Sequence, residues 1–381
     1  MLFRSPTIQS QMLAPDQALV EYFTRDTLVH IFVVRKDTFF HHSQPISADF
    51  DRMIADLDWN ASAGKKDIAR EQALCKTAYR LYQTLLAPVA HLLPERLIII
   101  PDANLQSLPF ETLITDAPTE GAGIAAQGQQ QRFVLFKYVV SYCYSASLLY
   151  EMQRIDVAKG KKRRLVGFAP DFPVALHASN GLPQSIKDVL PVLRHLPNEE
   201  ELEAINEKVC MERFVDIAAT KGCFFNTCRD ALAVHVATHG ILVDDAPANN
   251  FIAFNQAQDT VNTSELLYLS ELASQEPLNL ELATFSACET ARGKYVAGEG
   301  NMSMARALAA AGVKSILTTL WPVRTTQQAR LMPVFYGQFT ANGGADKDRA
   351  LTLAKRDFIL NSDAYPAAWA GTILIDRKSV V

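Results

Sequence analysis

The 381-residue chain is 49% apolar and 20% charged, enough to bury a core without disulfide staples. Its net charge of −4 gives no electrostatic reason to expect nucleic acid or a membrane surface as partner. No apolar run approaches a membrane span, no secretory signal precedes the first strand, and the six cysteines are scattered, so a cytoplasmic location is expected.

In chain order, residues 18–23 and 27–35 alternate as the two arms of a hairpin. Ala73, Leu74, Ala78, Leu81 and Leu85 recur at helical spacing and predict a helix over 68–93, closed by Pro94. The run RLIII at 96–100 is a buried strand, the Gly- and Gln-rich 117–132 a loop, 138–142 a strand and 146–154 a helix. The basic KGKKRR at 159–164 stands alone and lacks interleaved aromatics, which makes it a solvated linker and not a nucleic-acid patch. It separates a first α/β region, 6–158, from a second, 159–375. The second opens with a strand at 164–169. A helix then starts at Asn198, where Asn198 can cap, Glu201 stands three residues on, and Glu199 and Glu200 suit the positive end of the dipole. Later come a helix at 303–311 stopped by Gly312, a strand at 313–320, helices at 326–340 and 346–360, and a last strand at 371–375. Strands alternating with helices predict a mostly parallel sheet covered on both faces.

Both ends read as translated sequencing adapter. Leu2-Phe3-Arg4-Ser5 is what CTC TTC CGA TCT encodes, and residues 376–381 are what GAT CGG AAG AGC GTC GTG encodes. Residues 1–5 and 376–381 are therefore expected to be artefacts, and the native chain is expected to extend upstream of Pro6.

Two stretches carry chemistry. LELATFSACE at 280–289 and LAVHVATHG at 232–240 are buried-strand patterns ending in Cys288 and His239. Ligands bind parallel sheets at the carboxyl ends of strands, and a thiol beside an imidazole is a nucleophile with its base. Gly240 allows a backbone N–H close to a substrate oxyanion. An inert buried thiol and an ordinary loop histidine explain the same two residues, so the residues alone leave the pair open. Cys223, Cys228, His235 and His239 mimic a zinc finger. On a strand, however, His235 and His239 would stand about 13 Å apart, too far to share one ion. Gly293-Lys294 lacks the earlier glycine and the Ser/Thr of a P-loop, having Cys288 and Tyr295 instead, and Gly298-x-Gly300 has Ser303 where a third glycine belongs. No metal and no cofactor is expected.

HVATHG, SACET, GEG, SILTTLWPV and YPAAWAGTILI, in that order and preceded by PDANLQSLPFETL at 101–113, resemble the CHAT domain, a caspase-like family of cysteine peptidases related to separase. The interval of 49 residues from His239 to Cys288 is also about the caspase interval, although the caspase motif around the cysteine is absent. The resemblance implies a caspase-like three-layer α/β/α fold with a mostly parallel central sheet, preceded by a smaller α/β subdomain. It implies a cysteine endopeptidase in which His239 and Cys288 form the dyad, the N–H groups of Gly240 and Cys288 hold the oxyanion, and the substrate is a protein or peptide. Asp171 would line the pocket for a basic side chain, as acidic residues do in several caspase relatives, or simply close a turn. Trp321 would wall the substrate groove or fill the core. After Trp-Pro-Val this chain has Arg324-Thr325-Thr326 where acidic residues are common in the family. The alternative from another class is a catalytically silent scaffold that binds a protein partner through the same groove. CHAT domains commonly follow tetratricopeptide repeats. None is visible in this chain, so a repeat region upstream, engaging a regulatory protein partner, is expected.

Overall fold

A computed structural model of the chain describes residues 5–57, 59, 67–121, 124, 130–154, 164–178, 181–241, 250–274, 277–286, 294–296, 300–302, 304–362 and 365–376. They fall into two compact units, Met1–Gln153 with Ala345–Val381, and Arg154–Gly344. In the first, β1 (Gln17–Arg25) and β2 (Leu28–Arg35) form the expected hairpin. Its two-residue turn places Asp26 at φ 51°, a left-handed conformation that aspartate tolerates better than most residues. β3 (Phe39–Pro45) pairs antiparallel with β2, whereas β4 (Arg96–Ile100) and β5 (Val139–Tyr142) continue from β1 in parallel. Every residue of β4 is buried, which is why its sequence is an unbroken apolar run after Arg96. β3 was not legible in the sequence. Its FFHHSQP alternates between exposed and half-buried positions at the sheet edge and has no apolar run to announce it. The helix expected over 68–93 is an α-helix only from Ile68 to Leu85, followed by a 3₁₀ segment from Ala87 to Leu92. Pro88 causes the break, having no N–H to give and a ring that crowds the carbonyl four residues earlier.

The second unit carries β6 (Leu165–Ala169), β7 (Met211–Val215), β8 (Ala233–Val236), β9 (Gly240–Ile241), β10 (Phe251–Ala253), β11 (Leu266–Tyr268), β12 (Leu282–Phe285), β13 (Lys294–Val296), β14 (Gly300–Met302) and β15 (Ile316–Thr319). Five of these form a wholly parallel array in the order β15-β12-β8-β6-β7. β9, β10 and β11 make a small antiparallel sheet, and β13 pairs with β14. The Glu199–Lys208 helix lies over β6 at Gly167, where an added Cβ would stand 2.7 Å from Met211 Sδ and 2.9 Å from a Leu202 methyl. Glycine is what lets this helix approach the sheet so closely. The Thr325–Ala341 helix packs beside it. Gly312 follows the Met304–Ala310 helix at φ +83°, the left-handed stop its position in the sequence predicted.

The chain then returns to the first unit as the Lys347–Asn361 helix and β16 (Thr372–Ile375), which pairs parallel with β5. A linear division at residue 158 assigns these elements to the second region, but buried polar ties hold them to the first. Arg96 Nε donates to Asp348 Oδ2 at 2.9 Å and its Nη1 to Asp346 at 3.0 Å. Lys355 Nζ donates to Glu111 Oε1 at 2.8 Å and sits 5.9 Å from the Trp369 ring centre. The Tyr142 hydroxyl donates to the other Glu111 oxygen and accepts the Phe110 N–H at 2.8 Å. Asp376, set aside from the sequence as adapter, is buried here, and its N–H donates to the Tyr142 carbonyl at 3.2 Å. No helix among the described residues is long and apolar enough to cross a membrane.

Glu111 and Lys355 are 2% and 1% exposed in their side chains, so removing one strands the other's charge out of water. Lys355→Ala is expected to cost about 3–5 kcal/mol of stability, read by urea unfolding, while a paired apolar replacement of Lys355 and Glu111 costs far less.

Candidate active site

The parallel ladder fixes one row of residues across three strands. Phe168 of β6 pairs with Val236 of β8, and Val236 pairs with Phe285 of β12. On β15, Leu317 pairs with Thr284, which places Thr318 level with Phe285. Counting three residues onward from this row gives Asp171, His239, Cys288 and Trp321. Of these, Asp171, His239 and Trp321 are among the described residues and follow the carboxyl ends of β6, β8 and β15, the edge where parallel sheets bind ligands. Ser286 is the last described residue before Cys288, and its N–H continues the ladder by donating to the Val236 carbonyl at 3.1 Å. Cys288 itself lies outside the described residues.

His239 is buried, and both faces of its chemistry are defined. Its Nε2–H donates to the Arg194 carbonyl at 2.8 Å, and Phe172 meets the ring edge-on with centroids 4.7 Å apart. One ring nitrogen occupied as a donor leaves Nδ1 with the lone pair, and Nδ1 is buried with no hydrogen-bond partner among the described residues. Burial pushes the imidazole below its ordinary value. The bond to the Arg194 carbonyl works the other way, and the Arg194 charge adds to the lowering. A neutral ring with an unoccupied basic nitrogen is the state a general base requires.

The neighbouring backbone is also set. The His239 carbonyl accepts the Ala253 N–H at 2.9 Å, which makes Gly240 and Ile252 a non-hydrogen-bonded pair of the β9–β10 ladder. The Gly240 N–H is consequently directed away from β10, to the side of β9 that pairs with no other strand of the small sheet. Asp171 is half-exposed. Its Oδ1 accepts the Phe172 N–H at 2.8 Å and lies 3.8 Å from His195 Nδ1. Trp321 is buried at 5% exposure.

Two residues near the row escaped the sequence reading in their present roles. Asn198 makes no side-chain cap. Its amide donates instead to the carbonyls of Pro170 at 3.0 Å and Ala237 at 2.8 Å, tying the ends of β6 and β8. Glu201, read as half of a capping box, is 1% exposed, with Oε2 accepting from Ser286 Oγ at 2.9 Å. Its Oε1 stands 3.0 Å from His235 Nε2, close enough for an ion pair although the two lack the alignment of a hydrogen bond. His235 is fully buried in the sheet packing, between Glu201 and the Tyr336 hydroxyl, 3.2 Å from Nδ1. A signal existed: Glu201 and Ile205 are one turn apart, so Glu201 shares the apolar face of its helix.

The CHAT domain family model matches residues 76–377. Human tetratricopeptide repeat protein 28 is 27% identical over 208 residues, covering 46% of this chain and 8% of that protein's length. Two crystal structures of the Saccharomyces cerevisiae separase–securin complex superpose on 98% of this chain with TM-scores of 0.55 and 0.58 at 7% identity. The match covers 31% and 30% of the respective matched chains. The fold is the caspase-like α/β architecture of those structures.

Because the folded state holds His239 below its ordinary value of 6.5, the unfolded chain takes up this proton more readily. The stability it contributes is complete above pH 6.5 and is lost as pH falls through the lower folded value. His239→Gln, which keeps an N–H for the Arg194 carbonyl, is expected to flatten the dependence of unfolding free energy on pH between 6.5 and 5, measured by urea titration.

Proposed function

The chain belongs to the CHAT domain family, and on that footing we propose that it is a cysteine endopeptidase acting through His239 and Cys288. The observation that supports the proposal is the register of two adjacent parallel strands: Val236 pairs with Phe285, and His239 and Cys288 each follow three residues later in the sequence. The protonation of His239 supports it independently, with Nε2–H committed to the Arg194 carbonyl and Nδ1 left as the base.

In the proposed reaction Nδ1 takes the Cys288 thiol proton as sulfur bonds to the scissile carbonyl carbon, and the carbonyl oxygen becomes an oxyanion. The Gly240 N–H, with that of Cys288, stabilises this charge. His239 then returns the proton to the leaving amine nitrogen as the C–N bond breaks, giving a thioester. Water, deprotonated by the same nitrogen, releases the acid and restores the thiol. No metal enters. Asp171 is proposed to pair with a basic side chain on the amino side of the cut, and Trp321 to back the groove. A protein partner is proposed to control the site in the cytoplasm through a further region. This chain spans 8% of its human relative, a protein named for tetratricopeptide repeats, and the solved neighbours are of a two-protein complex.

Cys288→Ala is expected to abolish hydrolysis of a peptide library, and His239→Ala to lower it by about 10²–10⁴-fold. Iodoacetamide at neutral pH is expected to modify Cys288 and spare Cys75 and Cys143, whose thiols burial pushes up to about 12 and about 11. Hydrolysis that survives Cys288→Ala would remove the assignment of the activity to Cys288. An unreactive Cys288 with no hydrolysis would favour the silent scaffold.

Asp171→Ala is expected to reduce cleavage after Arg relative to Leu and Met in matched peptides. An unchanged ranking would return Asp171 to the role of a turn residue.

A further inference from the structure

A carboxylate placed where it touches no solvent needs a reason, since an apolar side chain of the same volume is usually at least as stabilising there. Glu201 is such a group. It sits in the first helical turn after Asn198, over the strands, with one oxygen toward each of the two strands that lead to the dyad. On the β8 side, Oε1 lies 3.0 Å from His235 Nε2, four residues before His239. On the β12 side, Oε2 accepts from Ser286 Oγ at 2.9 Å, two residues before Cys288. The far end of the chain of contacts closes on β12 as well. His235 Nδ1 is 3.2 Å from the Tyr336 hydroxyl, which donates to Thr284 Oγ1 at 2.8 Å. Burial pushes the Tyr336 phenol up, so this hydroxyl keeps its proton. The result is a loop of contacts, Ser286–Glu201–His235–Tyr336–Thr284, that crosses between β8 and β12 twice and fixes their relative height by side chains in addition to the backbone ladder.

We propose that Glu201 is a positioning residue for the dyad, with Ser286 as its arm on the cysteine side. It does not touch the reacting atoms. It holds Ser286, the first residue beyond β12 and two residues before Cys288 in the sequence, against the helix that also contacts β8 through His235. Gly167 is part of the same device, because only a residue without Cβ lets the Glu199–Lys208 helix come near enough for Glu201 to reach both strands. Misplacement of a reacting group by about 1 Å costs on the order of 10²-fold in rate, so a tie of this kind registers in turnover before it registers in substrate affinity.

The proposal rests on the dyad reading, and its test separates the two. Glu201→Gln, Ser286→Ala, Ser286→Thr and the Glu201→Gln/Ser286→Ala pair are compared with wild type and His239→Ala in the full chain. Three quantities are measured: kcat and KM on a peptide that wild type cleaves, the pH profile of iodoacetamide modification of Cys288 by peptide mass spectrometry, and the melting temperature. Expected are a kcat lowered roughly 10-fold with KM unchanged in Glu201→Gln and Ser286→Ala, and a modification profile displaced to higher pH in both. The double variant should be no worse than the poorer single one, because the two residues act through one bond, and Ser286→Thr should restore the rate by keeping the hydroxyl. Ser286→Ala removes a single oxygen and serves where Glu201→Gln melts early. Variants that melt like wild type and keep its kcat and modification profile overturn the positioning role alone. A wild type whose Cys288 profile is unmoved by His239→Ala overturns the dyad, and the positioning role with it.

Discussion

The site depends on the hydrogen-bond register of parallel strands. In a parallel pair the side chains of paired residues stand side by side, so two segments that leave adjacent strands at the same row emerge at the same height. Phe168, Val236 and Phe285 are that row. Nothing about residues 239 and 288 individually would bring them together. A slip of one residue in β8 against β12 would turn every side chain of one strand to the opposite face. The apolar positions of the fully buried β8 and β12 alone guard weakly against such slippage, because strands buried on both faces lack the in–out alternation that pins register. The polar positions inside them, His235 and Thr284, supply what the pattern lacks, since each has a partner only in the observed register.

How much of this could be read from the chain follows from the range of the forces involved. Strands and helices with strong periodicity were legible, including 96–100, 138–142 and the helix behind Asn198, because apolar spacing is local information. The CHAT motifs also carried the fold. What stayed hidden was set by distant partners. Glu201 looked like a capping residue because three negative charges at a helix start usually face water. Only packing against His235 and Ser286, tens of residues away, draws it inward. Asn198 went the same way, spending its amide on the Pro170 and Ala237 carbonyls. The break at Pro88 and the edge strand β3 were missed for the opposite reason. Strong local periodicity masked the first, and weak periodicity hid the second.

Motifs far from the dyad in the chain have an account of their own. Glu111 of the 101–113 stretch and Trp369 of the last motif meet at Lys355. Arg96 holds Asp346 and Asp348 from the far end of the sequence. These are long-range closures of the first unit, and they explain why the C-terminal helix and β16 belong to it. A buried ion pair of this kind contributes little net stability, but it strongly disfavours arrangements in which one partner is stranded. It selects one docking of the C-terminal segment among the many that apolar packing alone would permit.

The hold on His239 is made by a main-chain oxygen. An aspartate or asparagine in that place could be lost by a single codon change, but every amino acid at position 194 brings the same carbonyl. Evolution therefore cannot tune the orientation of this imidazole by exchanging its partner. It can do so only by moving the backbone of the segment between Leu193 and Asn198. The same segment carries His195 toward Asp171 and ends in the amide that ties β6 to β8. Control of this imidazole is thus a matter of loop position and not of side-chain identity. Whatever displaces that loop changes three contacts at once, and whatever braces it preserves all three.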